Sequence, residues 1–310
     1  MKARVAIGVD IGGTNTKLAL VTHDGQMRGA RSFKTQDFPV FSDYLKELTR
    51  HIKELVEFKK TTSLADIPIA GVGVGAPNAN WNNGMIESPV NLKWGRVDLA
   101  HQLEAAVGLP VELDNDANTA AIGEALFGVA KGVRDFILVT LGTGVGTGVY
   151  AEGLMIRSQN GKAGEGGHIN VEKDGRLCGC GGKGHLEAYA SSSGVELTAL
   201  EIMGEKKTAK EVSDLCRQGD KKADQVVEKT AEWLGLGMST MGAMLNPSLF
   251  VIGGGVSQLS DDFHKRVQHW LDHYAFKPIK HEAQVKLTQM NQENGSVLGA
   301  AALILHAHQT

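Results

Sequence analysis

The stretch DFILVTLGTGVGTGVYAEGLM, beginning at Asp135, repeats a layout that the chain has already used once. An apolar run enters a Gly/Thr-rich loop, leaves it as a second apolar run, and turns. RVAIGVDIGGTNTKLALVTHDGQM, from Arg4 to Met27, has the same order with little identity. Two such starts in one chain predict two related α/β halves, each opening with a hairpin whose loop exposes backbone N–H groups. The 310 residues suffice for two domains, and a hydrophobic content of 42% suffices for their cores.

Between the two starts, Phe41, Leu45, Leu48, Ile52, Leu55 and Val56 fall on one face of a helix spanning residues 41–58. IAGVGVGAPN reads as a buried strand, RVDLAHQLEAAVG as a helix closed by Gly108, PVELDND as a strand, and Ala117 to Phe127 as a helix. After the second start, residues 187–245 are mostly helical. NPSLFVIGGGVS and QVKLTQM then read as strands, and GSVLGAAALILHAH as a closing helix. No low-complexity linker interrupts the chain, so two domains sharing a cleft are expected.

A net charge of −3, with both signs dispersed, gives no reason to expect nucleic-acid or membrane-surface binding. The longest apolar runs are too short to span a bilayer, and MKAR leads straight into a strand. The expected location is cytoplasmic. Three cysteines, two of them in Cys178-Gly179-Cys180, make no disulfide framework; Cys216 has no partner and reads as inert.

DIGGTNTK offers Asp10, Gly12, Gly13, Thr14, Thr16 and Lys17 to a phosphate, with Lys17 in the second strand of its hairpin. It is neither a Walker A loop nor a dinucleotide fingerprint, and alone it is an ordinary tight turn. LGTGVGTG adds Gly142, Thr143 and Gly144. Four glycines there weaken a strand for no structural return, and the pair of loops is suited to a polyphosphate. The uncharged Gly253, Gly254 and Gly255 suit a nucleoside packed on bare backbone.

VDIGGTNTK, NDANTAA, LGTGVG, GEGGH and CGCGGKGHLE together resemble the ROK family of sugar kinases and related repressors, in order and spacing, over nearly the whole chain. Gly-Gly-Thr is shared across a superfamily; Glu-x-Gly-Gly-His joined to Cys-Gly-Cys-Gly is specific to ROK proteins. GVGAPNANWNNGMIESPVNLKW looks like the family's sugar-side segment. The resemblance implies a two-domain actin-like ATPase (ribonuclease H-like) α/β fold with an interdomain cleft. Residues 1–117 plus about 296–310 would form a smaller domain and 118–295 a larger one. It also implies ATP as phosphoryl donor, a hexose as acceptor and a homodimer.

Phosphorylating a sugar hydroxyl requires in-line placement, neutralisation of phosphoryl charge and a proton acceptor. Asn91, Asn115, Asp116, Glu165, His168 and Glu187 are the polar side chains suited to a sugar. By resemblance Asn115 holds a hydroxyl, Asp116 is the general base, and Glu165, His168 and Glu187 contact the sugar. Asp114 lies outside the family's Asn-Asp pair and reads as structural. Read alone, Asp116 would be a helix cap; a carboxylate there stays ionised, as a base must. Asp10 is placed to orient Mg²⁺ through water, the alternative being a buried acid satisfied by its turn.

His168, Cys178, Cys180 and His185 make a tetrahedral Zn²⁺ set in the register of the family's motif, with His185 where the family usually has a third cysteine. The alternative is a reduced Cys-Gly-Cys turn. A repressor of this family carries a helix-turn-helix before the Gly-Gly-Thr strand, which here starts near Arg4. A sugar sensor without turnover would lack the base, and Asp116 is present. An ATPase producing motion would lack the cysteine run. Glucose is the first expectation; N-acetylglucosamine, N-acetylmannosamine, fructose and allose are alternatives.

Overall fold

The computed structural model describes residues 4–87, 89, 92–291 and 294–307. The chain divides into two compact units. One comprises Met1–Lys131, Arg157–Ala163 and Met290–Thr310; the other comprises Gly132–Ile156 and Gly164–Gln289.

The first unit opens with β1 (Val5–Ile11), β2 (Asn15–Thr22) and β3 (Met27–Lys34), then α1 (Phe41–Lys60) and β4 (Ile69–Gly75). Three short strands, β5 (Ala79–Asn80), β6 (Met85–Ile86) and β7 (Val97–Asp98), form a small antiparallel sheet. α2 (Leu99–Val107), β8 (Val111–Asp114) and α3 (Asp116–Phe127) follow. The main sheet has the order β3-β2-β1-β4-β8, with the hairpin antiparallel and β1, β4 and β8 parallel. β1 is buried on both faces, as its continuous Val/Ile run requires, whereas edge strand β3 turns Arg28 and Lys34 to solvent. The buried stripe of α1 runs through Tyr44, Leu48, Ile52 and Leu55, with Phe41, Leu45 and Val56 half-buried at its flanks. Gly108 ends α2 in the left-handed conformation, at φ 70°.

The second unit repeats the plan. β9 (Phe136–Leu141), β10 (Val145–Ala151), β11 (Leu154–Met155), β12 (Leu249–Gly253) and β13 (Gln284–Leu287) form a sheet of order β11-β10-β9-β12-β13 with the same parallel and antiparallel pairings. Between its strands lie α4 (Glu187–Ala190), α5 (Ser192–Met203), α6 (Ala209–Arg217), α7 (Lys221–Leu245) and α8 (Phe263–Tyr274). Leu234 and Met238 of α7 pack with Phe263 and Val267 of α8 and with Phe250 of β12 in one core.

The last helix, α9 (Gly295–Ala307), belongs to the first unit. It lies so close to the sheet that a Cβ at Gly73 would sit 1.9 Å from the Ala300 carbonyl oxygen. Against α3, Gly123 meets Gly299 backbone to backbone. That contact keeps α3 in the first unit, so the division falls after Lys131 where the sequence placed it after residue 117. The two units are of nearly equal length. No described helix is long and apolar enough to cross a membrane.

Candidate functional site

In the first sheet Asp10, Gly75 and Asp114 stand in register at the C-terminal ends of β1, β4 and β8, the edge at which open α/β sheets bind ligands. The three polar residues where β8 hands over to α3 have separate tasks. Asp114 is buried, and every bond it makes is structural. Its Oδ1 accepts from the Asn115 N–H and Asn118 Nδ2, both at 2.8 Å, and its Oδ2 accepts from Arg157 Nε at 2.7 Å. Asn115 is the N-cap of α3, accepting from the Asn118 N–H at 2.7 Å. That bond fixes Oδ1 inward and leaves the amide NH₂ as the group offered to a ligand.

Asp116, the first residue of the helix, is solvent-accessible yet crowded by protein. The crowding raises its carboxyl above the ordinary value, and N–H groups of Ala117 and its own backbone pull it back. A carboxylate shifted in this direction is, when ionised, a stronger base than an ordinary aspartate. Burial likewise raises Asp10. The Ser296 hydroxyl, donating at 2.7 Å, and Lys17, paired with Asp10 across the hairpin, oppose this; the charge of Asp116 adds to it.

The first Gly-rich loop closes with the Gly12 N–H donating to the Asn15 carbonyl at 3.0 Å, and leaves Thr14 exposed. Thr16 does not join it. Its side chain is fully buried, and its hydroxyl is bonded to Thr35 Oγ1 and Tyr44 Oη at 2.9 Å each. Strand alternation turns it toward α1, so the expected phosphate contact is corrected to a core contact. Gly13 borders an open pocket of about 490 Å³ with Gln36, Asp37, Lys93 and Trp94. A larger recess, about 1060 Å³, lies along α1 beside Arg31, Lys53 and Phe58 and holds none of the candidate residues.

In the second unit, Gly253 pairs with Thr140, which brings the loops Gly142–Gly144 and Gly253–Gly255 to one sheet edge. Gly254, at φ 90°, passes so near Leu141 that a Cβ would lie 2.3 Å from its carbonyl oxygen. Gly253 is buried at the strand end, and Gly255 is the exposed member of the three. Glu187 reaches into this edge. Its Oε2 accepts from the Val145 N–H at 3.1 Å and occupies the space a side chain at Gly144 would need. Thr147 anchors the Glu-x-Gly-Gly-His loop, donating to the Gly164 carbonyl and accepting from the Gly166 N–H. Glu165 is exposed at the start of a short 3-10 turn, Gly166–His168.

His168, Cys178, Cys180 and His185 converge, with their ligand atoms all within 4.8 Å of one another. Cys178 Sγ lies 3.8 Å from His168 Nδ1, and Cys180 Sγ lies 3.2 Å from His185 Nδ1. Two sulfurs and two imidazole nitrogens at this spacing fit a four-coordinate Zn²⁺ site. Burial pushes the Cys178 thiol up to about 12, which a bound cation would reverse. The same thiol donates to Glu187 Oε1 at 3.3 Å. One carboxylate therefore separates the His/Cys cluster from the second Gly-rich loop.

Sequence reasoning did not single out Ser296, Arg157, Arg176 or the anchoring role of Thr147. Arg176 holds the cysteine loop to the Ala188 and Gly194 carbonyls and to Thr198, and stacks on Tyr189. Asn91 lies outside the described residues.

Comparison with known proteins gives the same framework. A glucokinase of Halalkalibacterium halodurans is 34% identical, with the alignment covering 98% of this chain and 96% of that one. The ROK hexokinase of Thermus thermophilus superposes with a TM-score of 0.85 at 25% identity, over 99% of this chain and 100% of that chain. A ROK glucokinase of Streptomyces griseus, in complex with glucose and AMPPNP, gives 0.77 at 30% identity, over 96% and 98%. The fold is the α/β actin-like ATPase fold of these kinases. The ROK family model matches residues 6–307, and the chain belongs to that family.

Proposed function

We propose that this protein transfers the terminal phosphoryl group of ATP to glucose, giving glucose 6-phosphate, with Asp116 as general base. The observation that carries this reading is Asp116 itself. It is an accessible carboxylate with a raised pKa at the first turn of α3, while the cap and the buried ion pair are supplied by its neighbours Asn115 and Asp114. It stands in a chain about a third identical to glucokinases over their length.

In this reading Asp116 takes the proton of the attacking hydroxyl, and the amide NH₂ of Asn115 holds a neighbouring one. Glu165, His168 and Glu187 fix further hydroxyls. Gly12, Gly13, Thr14 and Lys17, with Gly142, Thr143 and Gly144, bind the phosphates, and Gly255 borders the nucleoside. Asp10 would orient Mg²⁺, which neutralises phosphoryl charge when bound. His168, Cys178, Cys180 and His185 would hold Zn²⁺ as a structural brace. The same reading makes the protein a cytoplasmic homodimer, and light scattering checks its mass in solution. A panel of hexoses and 2-acetamido sugars with Mg-ATP, read by coupled ADP release, tests the activity. Glucose should give the highest kcat/KM, and no turnover with any sugar would overturn the reading.

A further inference from the structure

We propose that Arg157 is a positioning residue for phosphoryl transfer, fixing the turn that presents Asp116 and the entry to the sugar loop with one side chain; this rests on the kinase reading above. Residues Arg157–Ala163 lie between two stretches of the second unit in sequence, yet they pack with the first unit. The docking is specific. Asn80 Nδ2 donates to the Asn160 carbonyl at 3.0 Å, and Asn82 Nδ2 to the Ser158 and Gln159 carbonyls at 3.1 and 2.6 Å. Lys162 pairs with Glu87 at 3.0 Å. Two residues after Ala163 comes Glu165, with Gly164 and Gly166 held by Thr147.

Arg157 heads this segment. Its guanidinium stacks over the Trp81 ring, 4.5 Å from the centroid, and its Nε donates to Asp114 Oδ2. The Asp114 side chain is 2% exposed and that of Arg157 is 19% exposed, so the pair is held largely out of water. The other Asp114 oxygen organises the base turn through the Asn115 N–H and the Asn118 amide. Without its cation, Asp114 is a buried, uncompensated charge. Relief comes by moving the carboxylate, and the Asn115–Asp116 turn moves with it. A misplacement of about 1 Å at a reacting group costs on the order of 10²-fold in rate. A lysine supplies the charge without the Nε bond or the planar stacking on Trp81.

The test compares Arg157→Gln with the double variant Asp114→Asn/Arg157→Gln. It uses thermal melting, AMPPNP affinity by calorimetry, and kcat and KM for sugar. The single variant should melt lower and lose about ten- to hundredfold in kcat, with AMPPNP affinity changed by less than about twofold. The double variant buries no unpaired charge, so its melting temperature should recover; it still lacks the guanidinium that ties position 114 to Trp81 and holds the base turn, so kcat should stay low, and it also serves if the single variant does not fold. Wild-type kcat in the folded single variant, or kcat recovering together with stability in the double, would overturn the proposal. Failure of the kinase reading is distinct, because the wild-type chain itself would then show no hexose turnover with Mg-ATP.

Discussion

Replacing Gly144 by alanine should damage the handling of both substrates, because its missing side chain makes room for Glu187. A Cβ at position 144 would lie 2.5 Å from Glu187 Oε2, whereas ordinary contact begins at 3.4 Å. The carboxylate must retreat by about 1 Å to restore normal packing. In doing so it gives up the Val145 N–H, now held at 3.1 Å, and shifts Oε1 against Cys178. Losing a hydrogen bond to a charged acceptor costs about 1.5–3 kcal/mol, which corresponds to roughly ten- to hundredfold in kcat/KM. Gly142→Ala is the comparison, since a Cβ there meets nothing within 4 Å. It should raise KM for ATP by crowding the phosphates and leave KM for sugar alone. Coupled ADP release, with each substrate varied in turn, reads both variants. If Gly144→Ala raised KM for ATP alone, with sugar KM and kcat as in the wild type, Glu187 would not link the loop to the sugar.

Thr16→Val should leave KM for ATP unchanged and lower stability by about 1–3 kcal/mol in urea unfolding, because it strips the Tyr44 hydroxyl of its hydrogen-bond partner in the core. Elemental analysis of protein purified without a metal-affinity tag should find about one zinc per chain. Stripping it, or His185→Ala, should weaken sugar binding by calorimetry and also AMPPNP binding, since Cys178 touches Glu187; unchanged affinities would disconnect the cluster from the site. The Asp10 carboxyl is raised in the fold, so the folded chain holds its proton longer than the unfolded one. Stability from this group therefore falls as pH rises from the ordinary carboxylate value through the folded one. Asp10→Asn should accordingly raise the melting temperature at neutral pH while lowering kcat, and a lower melting temperature at pH 7 would contradict the sign.

The two sheets were legible because strand–loop–strand starts with continuous Val/Ile runs have few other uses, and the identical strand order bears that reading out. The helix of α1 was legible too, but its centre was not. Periodicity weighted Leu45 and Val56, whereas Tyr44 holds the core through a hydroxyl bond that hydropathy does not register. Thr16 was misassigned because composition places a threonine near a loop but not on a face. The domain division was hidden in backbone contacts between Gly123 and Gly299, which leave no side-chain pattern. Cysteine and histidine spacing brought His168, Cys178, Cys180 and His185 forward, and the structure gathers all four. Arg157 escaped notice because its partner Asp114 is distant in sequence and a lone arginine carries no motif.

Asp116 is the residue on which phosphoryl transfer to the sugar should depend most directly. Asp116→Asn keeps the shape of the side chain and leaves the Asn115 cap in place, but it cannot accept a proton. Glucose-dependent ADP release with Mg-ATP should fall by about 10²–10⁴-fold in that variant, while glucose still binds in a calorimeter with nearly wild-type affinity. Near-normal turnover in a clean preparation would remove Asp116 as the base.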